Sequence, residues 1–130
     1  KAAGASAVLL ICALLEEETL TRYHKHCDEL GLSALVEAHD EEEIQMAVRA
    51  GARIIGVNNR NLKDFTVDIH NGIRLREKVP KEILFVAESG IKTRENIVEL
   101  EKGCVNAVLI GETFMRSENK KQMLQQLKGE

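Results

Sequence analysis

Tryptophan is absent from this chain, and only four aromatic side chains occur in its 130 residues: Tyr23, Phe65, Phe85 and Phe114. That scarcity argues against base stacking as a mode of recognition. The net charge of −3, with no basic cluster among aromatics, argues against a nucleic-acid platform. Cysteine is sparse too. Cys12, Cys27 and Cys104 have no metal or redox spacing, and an odd number of thiols suits a reducing, cytoplasmic setting. The longest apolar run, Ala5 to Leu15, is too short to span a bilayer and has no basic region before it, so no membrane association is expected. Proline occurs once, as Pro80.

What remains is an ordinary globular composition, 44% hydrophobic and 30% charged, sufficient for one domain with a real core. One pattern recurs along it. A glycine that can end a helix precedes a short apolar strand at Gly4, Gly31, Gly51 and Gly103, and Pro80 introduces a further strand, Ile83 to Ala87. Between the strands lie charged segments with helical periodicity. Glu16–Leu30 places Leu20, Tyr23, Cys27 and Leu30 on one face. Asp40 opens the next helix with Glu43 as its capping-box partner, and Ile44, Ala47 and Val48 face inward. Ile69–Val79, a helix capped by Thr93 and Glu118–Leu127 complete the set. Alternating helices and fully apolar strands specify an α/β fold with a parallel sheet.

The count sets the fold class. About five β/α units are present, where a TIM (β/α)8 barrel has eight in roughly 250 residues. An open five-stranded sheet would leave apolar edges unpaired. The expectation is a partial TIM barrel, with residues 1–130 as the carboxyl-terminal part of a single domain and the amino-terminal strands absent. Self-association through the sheet edges is the expected alternative way to cover them.

In parallel α/β folds chemistry gathers at the carboxyl ends of strands. Ser89-Gly90-Ile91 and Gly111-Glu112-Thr113 each follow a strand and open toward a helix. Either loop alone serves a tight turn; the two in consecutive units point to a phosphate cradle. Glu37 ends one strand, where it can act as a general base or make a salt bridge, and Glu88 invites the same two readings. Asn58 and Arg60 can point the same way, Arg60 to grip a carboxylate and Asn58 to orient a hydroxyl, or both can stabilise the loop. His24-x-His26-Cys27 lacks ligand spacing on a helix, and no metal or other cofactor is expected. Glu16–Glu18 and Glu41–Glu43 read as solvated first turns, and His39 and His70 as loop or surface residues. No nucleophile–histidine–carboxylate series or Walker-type loop occurs.

Four segments occur in order: Ala34-Leu-Val-Glu-Ala-His-Asp40, Ile54-Ile-Gly-Val-Asn-Asn-Arg-Asn-Leu62, Val86-Ala-Glu-Ser-Gly-Ile91 and Ala107-Val-Leu-Ile-Gly-Glu-Thr-Phe-Met115. Together they closely resemble indole-3-glycerol phosphate synthase, a tryptophan-pathway TIM barrel, from its fourth strand to its last helix. The resemblance implies a carboxy-lyase that closes the indole ring of 1-(2-carboxyphenylamino)-1-deoxyribulose 5-phosphate with loss of carbon dioxide and water. It implies acid/base work for Glu37, substrate orientation by Asn58 and Arg60, and a pocket lined by Glu88 and Ser89. It implies phosphate binding by the backbone of Gly90, Gly111 and Glu112, with the Glu112 side chain unused. The family's strand-three lysine and strand-one Glu-x-Lys pair have no counterpart here, and Lys1 cannot replace them. The expectation is a fragment with at most residual activity alone. A phosphoribosylanthranilate isomerase relative is the competing enzyme reading.

Overall fold

The computed structural model describes residues 1–61 and 64–130, so Leu62, the end of the Ile54–Leu62 stretch, lies outside the described residues. Five strands, β1 (Ala7–Ile11), β2 (Ser33–Ala38), β3 (Ile54–Asn58), β4 (Leu84–Glu88) and β5 (Ala107–Leu109), pair in parallel in sequential order. The helices between them are α1 (Glu17–Glu29), α2 (Glu41–Arg49), α3 (Ile69–Arg76) and α4 (Arg94–Lys102). A 3-10 turn, Cys12–Leu14, precedes α1, and α5 (Glu112–Arg116) and α6 (Lys120–Lys128) follow β5. Sequential order with right-handed crossovers sends every connecting helix to one face of the sheet, the barrel arrangement; a doubly wound sheet would reverse direction.

Strand alternation divides the side chains accordingly. Val36, Ala38, Ile55, Val57 and Phe85 point under the helices, where they pack with Leu20, Ile44 and Ala47 in the main core. Leu9, Leu84 and Leu109 remain about half exposed. Among the described residues no helix is long and apolar enough to cross a membrane.

The helices carry the expected punctuation, with instructive departures. Asp40 Oδ1 caps α2 at the Glu43 N–H (2.9 Å), but the Glu43 carboxylate returns to the His39 N–H (2.7 Å) rather than to Asp40. Thr93 and Asn96 form a full capping box on α4. On α1 the buried stripe is Leu20, His24 and Cys27, whereas Tyr23 and Leu30 are 45% and 40% exposed. The core selects the i, i+4, i+7 face, and Tyr23 turns outward, where Arg22 lies over its ring. Helix α3 stops at Arg76 instead of Val79, because Pro80 biases its predecessor away from helix and the chain tightens into i→i+3 turns.

Gly31 and Gly51 are left-handed, as a residue just past a helix end should be (φ 62° and 85°). Gly103 is not. After α4 the left-handed residue is Cys104 (φ 59°), while a Cβ on Gly103 would meet Ile73 at 3.0 Å. Glycine is needed at 103 for the approach of α4 to α3.

Candidate active site

The carboxyl ends of β2 to β5 bring the sequence-selected residues together in two neighbouring hollows and one buried pair. The larger hollow, about 520 Å³, is lined by Asn58 and Arg60 with His39, Asn59 and others. The smaller, about 210 Å³, is lined by Arg60, Ser89, Gly90, Gly111 and Glu112. Arg60 borders both. Glu37 and Glu88 line neither hollow and form the buried pair, 7% and 5% exposed.

That pair is assembled across an intervening strand. Glu37 on β2 stands level with Gly56 on β3, and β4 lies beyond. A Cβ built on Gly56 would sit 2.0 Å from Glu88 Oε1, so Glu88 occupies the space that a larger residue would fill. Its carboxyl leans over the bare backbone toward Glu37. Burial, then the charge of Glu37 and a hydrogen bond with it, push the Glu88 carboxyl from its ordinary 4.5 up to about 7, against a smaller opposing effect of His39. The Glu88 carboxyl therefore keeps its proton from the ordinary carboxylate range up toward neutral pH, facing Glu37. Such a pair can donate a proton from one member and accept one at the other.

The loop after β4 is held under strain. Ser89 and Gly90 both have positive φ (67° and 78°); for serine that costs about 1–2 kcal/mol. Asn59 offsets it. Its backbone N–H donates to the Glu88 carbonyl (2.8 Å) and its Nδ2 to the Ser89 carbonyl (3.1 Å), while its Oδ1 accepts from the Gly72 N–H (3.0 Å). Asn59 thus ties β3, β4 and α3 together, a role that its neighbours Asn58 and Arg60 mask in the sequence. A Cβ on Gly90 would lie 2.2 Å from Val67, so this glycine accommodates its own chain. A Cβ on Gly111 would meet nothing within 4 Å among the described residues, which leave that approach open. Thr113 Oγ1 donates to the Ile91 carbonyl (2.6 Å) and links the two loops. Helix α4 starts only at Arg94, after Asn96 has taken the Lys92 and Thr93 N–H groups, so α5 alone begins directly at its glycine.

Two side chains depart from expectation. Arg60 donates to Glu112 (2.7 Å), and Glu112 also accepts from Arg116 (2.9 Å), so the Glu112 side chain is engaged at the mouth of the cleft. The Arg116 and Arg60 guanidiniums hold its carboxyl below the usual range. His39 lies in the loop after β2, as expected, and is half-buried in the site there, with Nε2 3.3 Å from Glu37 and Nδ1 3.1 Å from Glu43. Glu43, expected in a solvated turn, therefore faces inward. The place of His39 just past a strand that ends in Glu37-Ala38 was the available signal for one, and an isolated glycine inside an apolar strand was the signal for Gly56. His24 is buried in the α1 stripe while His26 is exposed beside Glu29, so they do not converge.

The model of the indole-3-glycerol phosphate synthase family matches residues 1–127. The chain belongs to that family. An indole-3-glycerol phosphate synthase of Lachnoclostridium phytofermentans is 59% identical over 98% of this chain and 47% of its own length. That of Leuconostoc mesenteroides is 58% identical over 100% of this chain and 50% of its own. The chain therefore spans about half the length of the curated relatives it matches. Among solved structures, 3-hexulose-6-phosphate synthase from Salmonella typhimurium superposes with a TM-score of 0.81 at 15% identity, covering 98% of this chain and 62% of that one. Thiamine phosphate pyrophosphorylase from Pyrococcus furiosus superposes with a TM-score of 0.75 at 21% identity, covering 96% and 58%. At such identity these two speak for the fold alone. Within the synthase family's portion present here, the strands run from the one before the Glu37 strand to the one before Gly111.

Proposed function

We propose that a barrel containing this chain is an indole-3-glycerol phosphate synthase acting on 1-(2-carboxyphenylamino)-1-deoxyribulose 5-phosphate. The observation that carries the reading is the double placement of Arg60. It connects a small cleft between two glycine loops with a larger polar hollow that also holds Asn58. A substrate with a phosphate at one end and an aromatic carboxylate at the other suits such a paired space. The Gly90 and Gly111 loops and the Glu112 N–H take the phosphate, with Ser89 beside them. Asn58 orients the ribulose hydroxyls and Arg60 the anthranilate carboxylate.

Ring closure forms a carbon–carbon bond at the ribulose carbonyl, whose oxygen takes up a proton as carbon dioxide leaves the ring carbon. Dehydration then needs a proton delivered to the departing hydroxyl and another removed from the new ring. Glu37 and Glu88 supply an acid and a base for these transfers, with Glu37 as the acting carboxylate. By the same reading the 130 residues alone turn over at most residually, since the lysines of the family's first and third strands are not among them.

The test is turnover of that substrate by the complete barrel and by its Glu37→Gln variant. The expected result is a loss of kcat of about 10²–10⁴-fold, the usual contribution of a positioned acid or base. Unchanged turnover in the variant would remove Glu37 from the chemistry.

A further inference from the structure

The buried acids Glu37 and Glu88 belong to a longer chain of ionisable groups. His39 follows Glu37 by two residues, in the bend just past the end of β2, and its ring turns back toward Glu37. Its Nε2 lies 3.3 Å from Glu37 Oε1. On the other side of the ring Nδ1 lies 3.1 Å from Glu43 Oε2, and that oxygen also accepts the His39 backbone N–H at 2.7 Å. Asp40 caps the Glu43 N–H at 2.9 Å and fixes the turn from which this carboxylate reaches back to His39.

Donors and acceptors then determine where the protons are. Glu43 accepts, so Nδ1 carries a hydrogen. Among the described residues Nε2 is buried without a well-formed hydrogen bond and faces a carboxylate, and Glu88 Oε1 is likewise buried and without a partner. In a neutral ring Nε2 would oppose its lone pair to those of Glu37. Contact becomes favourable only with a hydrogen between them. An imidazolium donates to Glu43 and Glu37 at once, and the proton on Glu88 is free to be donated to Glu37 as well. Glu37 is then a carboxylate accepting from both sides.

We infer that His39 is a positioning residue for Glu37, an imidazolium clamped by Glu43 whose Nε2–H holds the Glu37 carboxylate in place beside Glu88. The inference rests on the synthase reading for its catalytic consequence, but not for its protonation state. Among the described residues, the other groups facing the cluster do not replace His39. Asp40 and Glu43 are acids. The thiol of Cys12, whose Sγ donates to the Glu43 carbonyl, is pushed up to about 12, mainly by burial and then by Glu43 and Asp40, and stays neutral. Across the larger hollow Arg60 is engaged with Glu112, and Arg74 with Asp68.

Two measurements on the complete barrel test this. The first is the pH profile of kcat and kcat/KM for the parent protein, His39→Asn and Glu43→Gln. Asparagine keeps a polar side chain but cannot carry charge. KM is expected to stay within about threefold, while kcat falls about 10–100-fold, a fraction of a full acid/base contribution. The acid limb of kcat/KM should move to higher pH by about one unit, because losing a neighbouring positive charge favours the protonated form of Glu37. Glu43→Gln should give a smaller shift in the same direction. An unmoved acid limb in both variants would overturn the proposal, since a merely structural role would lower activity without moving it.

The second measurement is the ¹⁵N spectrum of the His39 imidazole in the unmutated protein. Both nitrogens are expected to be protonated at pH 7; a neutral ring there would equally overturn the proposal. If the barrel shows no synthase turnover, the functional reading falls, and this spectrum still decides the state of His39.

Discussion

At the amino ends of β4 and β5, the guanidinium of Arg76 is buried against backbone carbonyls. Its Nε donates to the Cys104 carbonyl (3.0 Å), its Nη1 to those of Val79 (2.9 Å) and Pro80 (3.4 Å), and it lies 5.7 Å from the centre of the Phe85 ring. At the carboxyl ends of β2 and β4, Glu37 and Glu88 are equally buried, yet Glu88 Oε1 and the neighbouring His39 Nε2 lack hydrogen-bond partners among the described residues. Both ends bury charge against the same sheet. One surrounds it with carbonyls that cannot leave, and the other keeps acids facing acids with capacity to spare. A buried charge bonded to backbone carbonyls holds the fold, whereas buried acids with an oxygen to spare retain interactions to offer a substrate. This matches the division of labour between the two faces of parallel β/α barrels.

That contrast can be broken most forcefully at Arg76. Arg76→Leu should cost about 3–4 kcal/mol in urea unfolding, because three inward carbonyls lose their donor. It should leave the Glu88 titration where it is, and a shifted titration would mean that the two ends are coupled.

The carboxyl end answers to pH. Glu88 has a folded value of about 7 against 4.5 when unfolded, so the folded state holds the extra proton between those values. Its contribution is fully present below about pH 4.5 and is lost as pH rises through about 7, a swing of roughly 3 kcal/mol. Glu88→Gln should remove this dependence, so that the variant gains stability relative to the parent from pH 5 to pH 8. Gly56→Ala, by displacing the same carboxyl from Glu37, should flatten the curve similarly. Parallel pH–stability curves for parent and Gln variant would sink the assignment.

The smallest effect belongs to the exposed rim. Glu112→Gln releases Arg60 and removes negative charge beside the glycine loops. Titrating inorganic phosphate against the complete barrel should show about two- to fivefold tighter binding, within what exposed charges achieve, and no measurable change in stability. Weaker binding would mean that Glu112 holds Arg60 in its working position.

The five-unit frame is legible in the order of residues because its signals are local. Apolar strands, a capping residue such as Thr93 and a glycine past a helix end each act within a few positions. So do the rim positions of Glu37, Asn58, Arg60 and Glu88, which follow from where each strand stops. The choice between Tyr23 and His24 on α1 was not legible, since both belong to plausible faces and the core chose between them. Nor was the transfer of the left-handed turn from Gly103 to Cys104, which depends on where Ile73 lies. Pairing at the rim is of that second kind. Glu88 reaches Glu37 only because parallel register sets Gly56 between them, and Arg60 meets Glu112 from 52 residues away. Residue order thus determined which groups reach the rim, because strand ends and turns are written locally. Tertiary structure decided which of them share a proton or a charge, because burial and distance exist only once the strands are side by side.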